Sequence, residues 1–110
     1  MCGITGIKAF NEIGRFFMIN NAKSTLSLEH RGPDSQGLYL DDLVFLGHRR
    51  LSIQDTSSLG NQPMKSDDEQ FVIAYNGEVY NFKELRQQLT QKGYSFKSES
   101  DTEVILKLYP

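Results

Sequence analysis

The chain has 110 residues, room for one small domain and not two. Its 12 basic and 14 acidic residues leave a net charge of -2 with no basic stripe, which argues against a nucleic-acid partner. A single cysteine excludes an internal disulfide and fits a reducing cytoplasm; no Cys/His cluster has zinc spacing, nothing reads as a secretory signal, and no apolar run approaches the ~20 residues of a membrane span.

The first candidate site is the N-terminus, Met1-Cys2-Gly3-Ile4-Thr5-Gly6-Ile7. Removal of Met1 would leave Cys2 carrying a thiol and a free α-amine on one carbon, a nucleophile with its own base. A free thiol titrates near ~8.5 and an α-amine near ~7.7–8.0, so part of the amine is neutral at pH 7 and able to take the thiol proton. On position alone Cys2 reads more readily as a small buried hydrophobe. Residues 3–10 read as a first strand without clean alternation, as for a strand covered on both faces. Residues 11–14 read as a turn and 15–29 as one helix of mediocre propensity.

His30-Arg31-Gly32-Pro33-Asp34-Ser35-Gln36-Gly37 is a turn cluster in which Arg31 and Asp34 could pair locally. Residues 38–40 and 43–47 form a hairpin signal around Asp41-Asp42. The stretch Gly47-His48-Arg49-Arg50-Leu51-Ser52-Ile53-Gln54 offers two arginines, either of which could hold a carboxylate through paired hydrogen bonds. Residues 55–69 read as a surface loop. Residues 71–75 are an apolar run expected to be a central strand covered on both faces. That run leads into Asn76-Gly77-Glu78, where an amide side chain and an unhindered N–H could serve a developing oxyanion, or simply turn the chain.

Residues 81–92 are the strongest helix signal, with Asn81 as cap, Glu84 in the capping-box place, a Phe82, Leu85, Leu89 stripe, and Gly93 as stop. A short strand is expected near 94–97. Ser100-Asp101-Thr102-Glu103 is a second capping box, opening a helix whose apolar side is expected to include Val104, Ile105 and Leu108. Asp101 is then an acid favoured at a helix N-terminus, or a group that could hold an ammonium.

Five segments, MCGITG at the start, HRGPDSQG at 30–37, HRRLSIQD at 48–55, NGEVYN at 76–81 and SDTEVIL at 100–106, together resemble the class II glutamine amidotransferase domain of the N-terminal nucleophile hydrolase family. The likeness extends to the domain that opens the glutamine-hydrolysing asparagine synthetases. The resemblance implies an α+β fold, an αββα sandwich of two sheets between helical layers. It implies Cys2 as nucleophile and its α-amine as base, with Asn76 and the Gly77 N–H as oxyanion hole. Arg50 would grip the α-carboxylate of glutamine and Asp101 its α-amino group. Leu51, Ser52, Ile53 and Gln54 would line the substrate, Glu78 would lie beside it, and Arg31 and Asp34 would support the site.

The family's domain runs well past residue 110, so residues 1–110 are expected to be its first part, with the strands that complete the second sheet and the synthetase domain absent. No Gly-rich phosphate loop is present. No cofactor is therefore expected in this chain, ATP and Mg being required only by the synthetase part. The expected small-molecule partner is glutamine; a homo-oligomer or a synthetase subunit is possible as a protein partner. Two other readings stay open: a non-catalytic remnant that binds glutamine or a related subunit, and a small αβ interaction domain in which Cys2 is incidental.

Overall fold

The computed structural model describes residues 2–52 and 57–109, and for Ala22 the backbone alone. Its centre is an antiparallel sheet of β1 (Gly3–Lys8), β2 (Ser35–Leu40) and β3 (Val44–Arg50) in the order β1-β3-β2. Gly3 lies opposite Arg49 and Ile4 opposite His48; on the other side of β3, Ser35 faces Arg50 and Gly37 faces His48. The hairpin between β2 and β3 is closed by one carboxylate: Asp41 Oδ1 accepts from the Leu43 and Val44 amides, each at 2.8 Å. The Leu43 N–H is the main reason the Asp41 carboxyl lies below its ordinary range, with the Tyr39 hydroxyl next. Both strands are longer than the sequence signal, so Arg49 and Arg50 end a strand instead of following one.

The helix expected over 15–29 is two helices. Asn11 starts α1 (Glu12–Ile19) by accepting from the Gly14 amide at 2.8 Å, inside what read as a turn. Asn20 then ends it, its Nδ2 donating to the Phe16 carbonyl at 2.8 Å, and α2 (Ala22–Leu26) begins after Asn21. Asparagine side chains compete with the helical ladder for backbone groups, which accounts for the break. One face of the sheet carries both helices. Met18 packs there with Ala9 and Phe45, and Ile7 borders them. Thr25 bonds Thr5 hydroxyl to hydroxyl at 2.8 Å. Glycine is required beneath it, since a Cβ on Gly47 would lie 1.9 Å from Thr25 Oγ1. β1 is not covered on both faces as expected: its burial alternates and Ile4 is 47% exposed.

The second half is built differently. A 3-10 turn at Ser58–Gly60 leads to β4 (Met64–Lys65), which pairs with β5 (Val72–Ile73). The expected central strand over 71–75 is thus a two-residue strand in a separate two-stranded sheet, and all five residues are only half-buried. A strand with one partner exposes an edge, and its apolar side chains pack against a short neighbour instead of between two layers. β4 lies in what read as loop.

The helix α3 (Phe82–Gln91) forms as expected and stops at Gly93, whose φ of 97° suits glycine. Asn81, however, makes no side-chain cap bond. Its φ of -104° and ψ of 32° lie outside the extended geometry from which a cap side chain reaches back.

No strand forms over 94–97. The Lys97 and Ser98 amides instead donate to the Glu103 carboxylate, at 2.9 and 2.7 Å for the shorter contacts. That carboxylate lies in the first turn of α4 (Asp101–Leu108), which Ser100 caps by accepting from the Thr102 amide. Val104 and Leu106 are the buried apolar residues of α4; Leu108, expected inside, stands at the last position of the helix and is 46% exposed.

Candidate active site

Cys2 immediately precedes β1, so the β1–β3 register carries it to the end of β3. There the Leu51 amide donates to Cys2 Sγ at 3.3 Å, and the sulfur lies 3.8 Å from the Leu51 carbonyl. Arg31 Nε donates to the Cys2 carbonyl at 3.3 Å. The turn containing Arg31 lies against β3 because Gly32 has no side chain: a Cβ there would sit 2.2 Å from the Arg49 carbonyl oxygen. Asp34 closes the same junction, its amide donating to the Arg50 carbonyl at 2.9 Å and its carboxylate accepting from the Ser52 amide at 2.7 Å. Arg31 and Asp34 therefore brace the N-terminal strand and the end of β3, and no ion pair joins them to each other among the described residues.

The two neighbouring arginines have separate surroundings. The strand's period of two sends them to opposite faces. Arg49 is directed to the helix side, donating to the Gly32 carbonyl at 2.8 Å with Glu29 at 3.8 Å. Arg50 is directed to the other face, where its Nη1 donates to the Ser57 carbonyl and to Asn61 Oδ1, the latter at 2.8 Å. It lines a polar cleft of about 440 Å³ with Asp34, Ser35, Ser52, Ser57, Ser58 and Asn61. A guanidinium and several hydroxyls around an open cleft form a chemistry suited to a small anionic or zwitterionic ligand.

The second group of candidate residues is at the start of α4. Asp101 is 6% exposed, and its Oδ2 accepts from the Val79 amide at 2.8 Å, which draws the 76–79 segment onto the helix N-terminus. Asn76 is half-buried, and its Oδ1 is buried without a hydrogen-bond partner among the described residues; Gly77 and Glu78 are exposed. Ile53 and Gln54, two of the expected substrate-lining residues, lie outside the described residues. Cys2, Arg31, Asp34, Arg50, Leu51 and Ser52 thus gather at the end of β3, while the segment carrying Asn76, Gly77 and Glu78 is tied to Asp101 at the start of α4 through the Val79 amide.

Two residues given no role from the sequence link these groups. His48, fully buried on the same face of β3 as Arg50, has its Nε2 3.3 Å from the Tyr75 carbonyl. Burial pushes the His48 imidazole below its ordinary value of 6.5; the Tyr75 bond opposes that and the Arg50 charge adds to it. Gln62 accepts from the Tyr75 amide at 2.5 Å and donates to Thr102 Oγ1 at 3.0 Å. His48 opens the HRRLSIQD segment and stands two residues before Arg50, which is the signal that marks it. Gln62, within a polar loop, had none.

Among the described residues no group of three or more His, Cys, Asp or Glu side chains could hold a metal ion, and no helix is long and apolar enough to cross a membrane. Known proteins are similar to this chain. A 52% identical match over 80 residues joins this chain to asparagine synthetase [glutamine-hydrolyzing] 1 of Bacillus subtilis (strain 168), covering 73% of this chain and 12% of the relative. Asparagine synthetase [glutamine-hydrolyzing] 1 of Arabidopsis thaliana is 38% identical over 109 residues, 99% of this chain and 18% of the relative. The corresponding enzyme of Sandersonia aurantiaca is 38% identical over 109 residues and is covered to 20%. The chain therefore spans a fifth or less of the length of these relatives. A family model described as a glutamine amidotransferase domain matches residues 1–110 in full, and with it the chain belongs to the glutamine amidotransferase domain family.

Proposed function

We propose that this chain is the amide-hydrolysing part of an asparagine synthetase-like protein, releasing ammonia from the side chain of glutamine. The observation that carries this reading is the seat of Cys2: its sulfur lies against the Leu51 backbone, at the strand end where Arg50 enters the polar cleft. The finer fold in this reading is the first part of an αββα sandwich, and the setting is cytoplasmic. ATP and Mg belong to a synthetase part, and the protein partner is a second copy or that synthetase part.

In the proposed reaction Met1 is first removed. Arg50 holds the α-carboxylate of glutamine, Asp101 its ammonium group, and Leu51, Ser52, Ile53, Gln54 and Glu78 flank the substrate. The Cys2 α-amine takes the thiol proton, and the sulfur forms a bond to the amide carbon. The carbonyl electron pair moves to oxygen, where Asn76 Nδ2 and the Gly77 N–H donate to it. Collapse of that intermediate breaks the carbon–nitrogen bond, and the amine's proton leaves with ammonia. Water then cleaves the thioester to glutamate and restores the thiol.

The test starts from chain shown by mass to begin at Cys2. Ammonia and glutamate should form in equal amounts from glutamine, and Cys2→Ser should abolish both. A Cys2→Ser protein that still releases ammonia would overturn the nucleophile assignment. Asn76→Ala should retain glutamine binding while losing on the order of 10²–10³ in turnover, the size seen when one oxyanion donor is removed. Glutamine that raises the melting temperature of the processed chain without any turnover would replace this reading with a non-catalytic binding role.

A further inference from the structure

We propose that His48 and Gln62 are positioning residues that hold the two backbone polar groups of Tyr75, its carbonyl and its N–H, and so set where the Asn76-Gly77 backbone stands relative to the sheet that Cys2 adjoins. This rests on the amide-hydrolysis reading above and extends it to two residues outside the reacting groups.

The need for a clamp follows from β5. Its ladder ends at Ile73, so among the described residues no strand partner receives the polar groups of Tyr75. Half-buried backbone groups require partners, and here side chains supply both. The Tyr75 N–H goes to Gln62 Oε1 and its carbonyl accepts from His48 Nε2. For that nitrogen to donate to a carbonyl it must carry the proton; in the neutral ring Nδ1 is then left as an acceptor, and it is buried without a partner among the described residues.

The two anchors come from different parts of the fold. His48 is on β3, opposite Ile4 of the strand that Cys2 adjoins and two residues from Arg50. Gln62 is 8% exposed, its amide nitrogen reaches Thr102 beside Asp101, and its carbonyl oxygen would lie 1.8 Å from a Cβ on Gly37, so its loop rests on β2. One residue, Tyr75, is thereby referenced to the strand that carries Arg50 and to the helix that carries Asp101. Asn76 follows it directly. Displacing an oxyanion donor by about 1 Å can cost on the order of 10²-fold in rate, so anchors of this kind act on turnover more than on binding.

The experiment compares wild type, His48→Leu, His48→Gln, Gln62→Met and Gln62→Glu as processed chains. Amide hydrogen exchange at Tyr75, Asn76 and Gly77 is read beside steady-state glutamine hydrolysis and alkylation of Cys2 by a diazoketone analogue of glutamine. Exchange should speed up locally in His48→Leu and Gln62→Met. In both, kcat should fall on the order of 10- to 100-fold with KM within about twofold. His48→Gln, which can still donate, and Gln62→Glu, which keeps the acceptor for the Tyr75 amide, should recover part of the loss. Unchanged exchange at 75–77 would overturn the clamp whatever the activity. Faster exchange with unchanged kcat, or equal losses in the conservative and apolar variants, would overturn the positioning role. A wild type that neither turns over glutamine nor is alkylated overturns the amide-hydrolysis reading and with it the catalytic sense of the clamp, while exchange still reports whether the two anchors hold Tyr75. Should His48→Leu fail to fold, the Gln62 pair decides the same question.

Discussion

The two halves of this molecule are held together by different means. Residues 3–50 are organised by a backbone ladder, with six paired positions on each side of β3 and two helices laid on one face. Residues 57–109 have a single two-residue ladder, and their longer reach is set by side chains that bond backbone groups: Gln62 to Tyr75, Glu103 to Lys97 and Ser98, Asp101 to Val79, Arg86 to the Ser98 carbonyl. A ladder distributes its cost over many residues, whereas a side-chain anchor concentrates it in one. The second half is therefore expected to be sensitive to single polar substitutions, and the first to loss of packed volume.

The largest expected effect probes the ladder half. Met18 is 1% exposed at the centre of the packed face, and Met18→Ala should destabilise by about 2–5 kcal/mol in denaturant titration. A cost below 1 kcal/mol would mean that α1 is not an integral part of that half. Next comes Glu103, 5% exposed, whose carboxylate receives two amides and the Ser98 hydroxyl. Glu103→Ala leaves those donors without their acceptor and should cost about 2–3 kcal/mol, with faster amide exchange at 97 and 98. Exchange unchanged there would dissolve the contrast between the halves.

A smaller effect should come from His48, at the seam between them. Its folded value lies below the ordinary 6.5, so the unfolded chain binds the proton more readily. Stability should fall as pH drops through 6.5 toward the folded value, and the slope in that window should flatten in His48→Gln. Asp41, also held below its ordinary range, lowers stability only in the more acid carboxylate window, which keeps the two contributions apart. The smallest effect sharpens the comparison at matched chemistry. Asn11→Ala removes a formed helix cap and should cost about 1 kcal/mol, while Asn81→Ala removes none and should stay within about 0.5 kcal/mol. Equal melting shifts for the pair would contradict the capping difference.

Legibility followed the same division. The β2–β3 hairpin, α3 with its Gly93 stop and the Ser100 cap were readable because each depends on residues a few positions apart. The split of one expected helix at Asn20 was missed because side-chain competition with a helical ladder leaves only a weak compositional trace. The central strand expected over 71–75 was missed because an apolar run does not reveal how many neighbours it will have. Among the site residues, Arg50 and Arg49 were indistinguishable in composition, and only the resemblance separated them. The register of β3 shows them on opposite faces, one in the cleft and one under the Arg31 turn.

By itself the sequence determined the family, the order of the motif segments and the local caps and turns, because these are carried by residue identity and short spacing. The tertiary structure alone decided which segments meet: Cys2 against Leu51, Asp101 against Val79, and Tyr75 between His48 and Gln62. These contacts join residues 13 to 49 positions apart, and they exist because part-buried backbone groups beyond the ladder ends must find partners wherever the fold brings them.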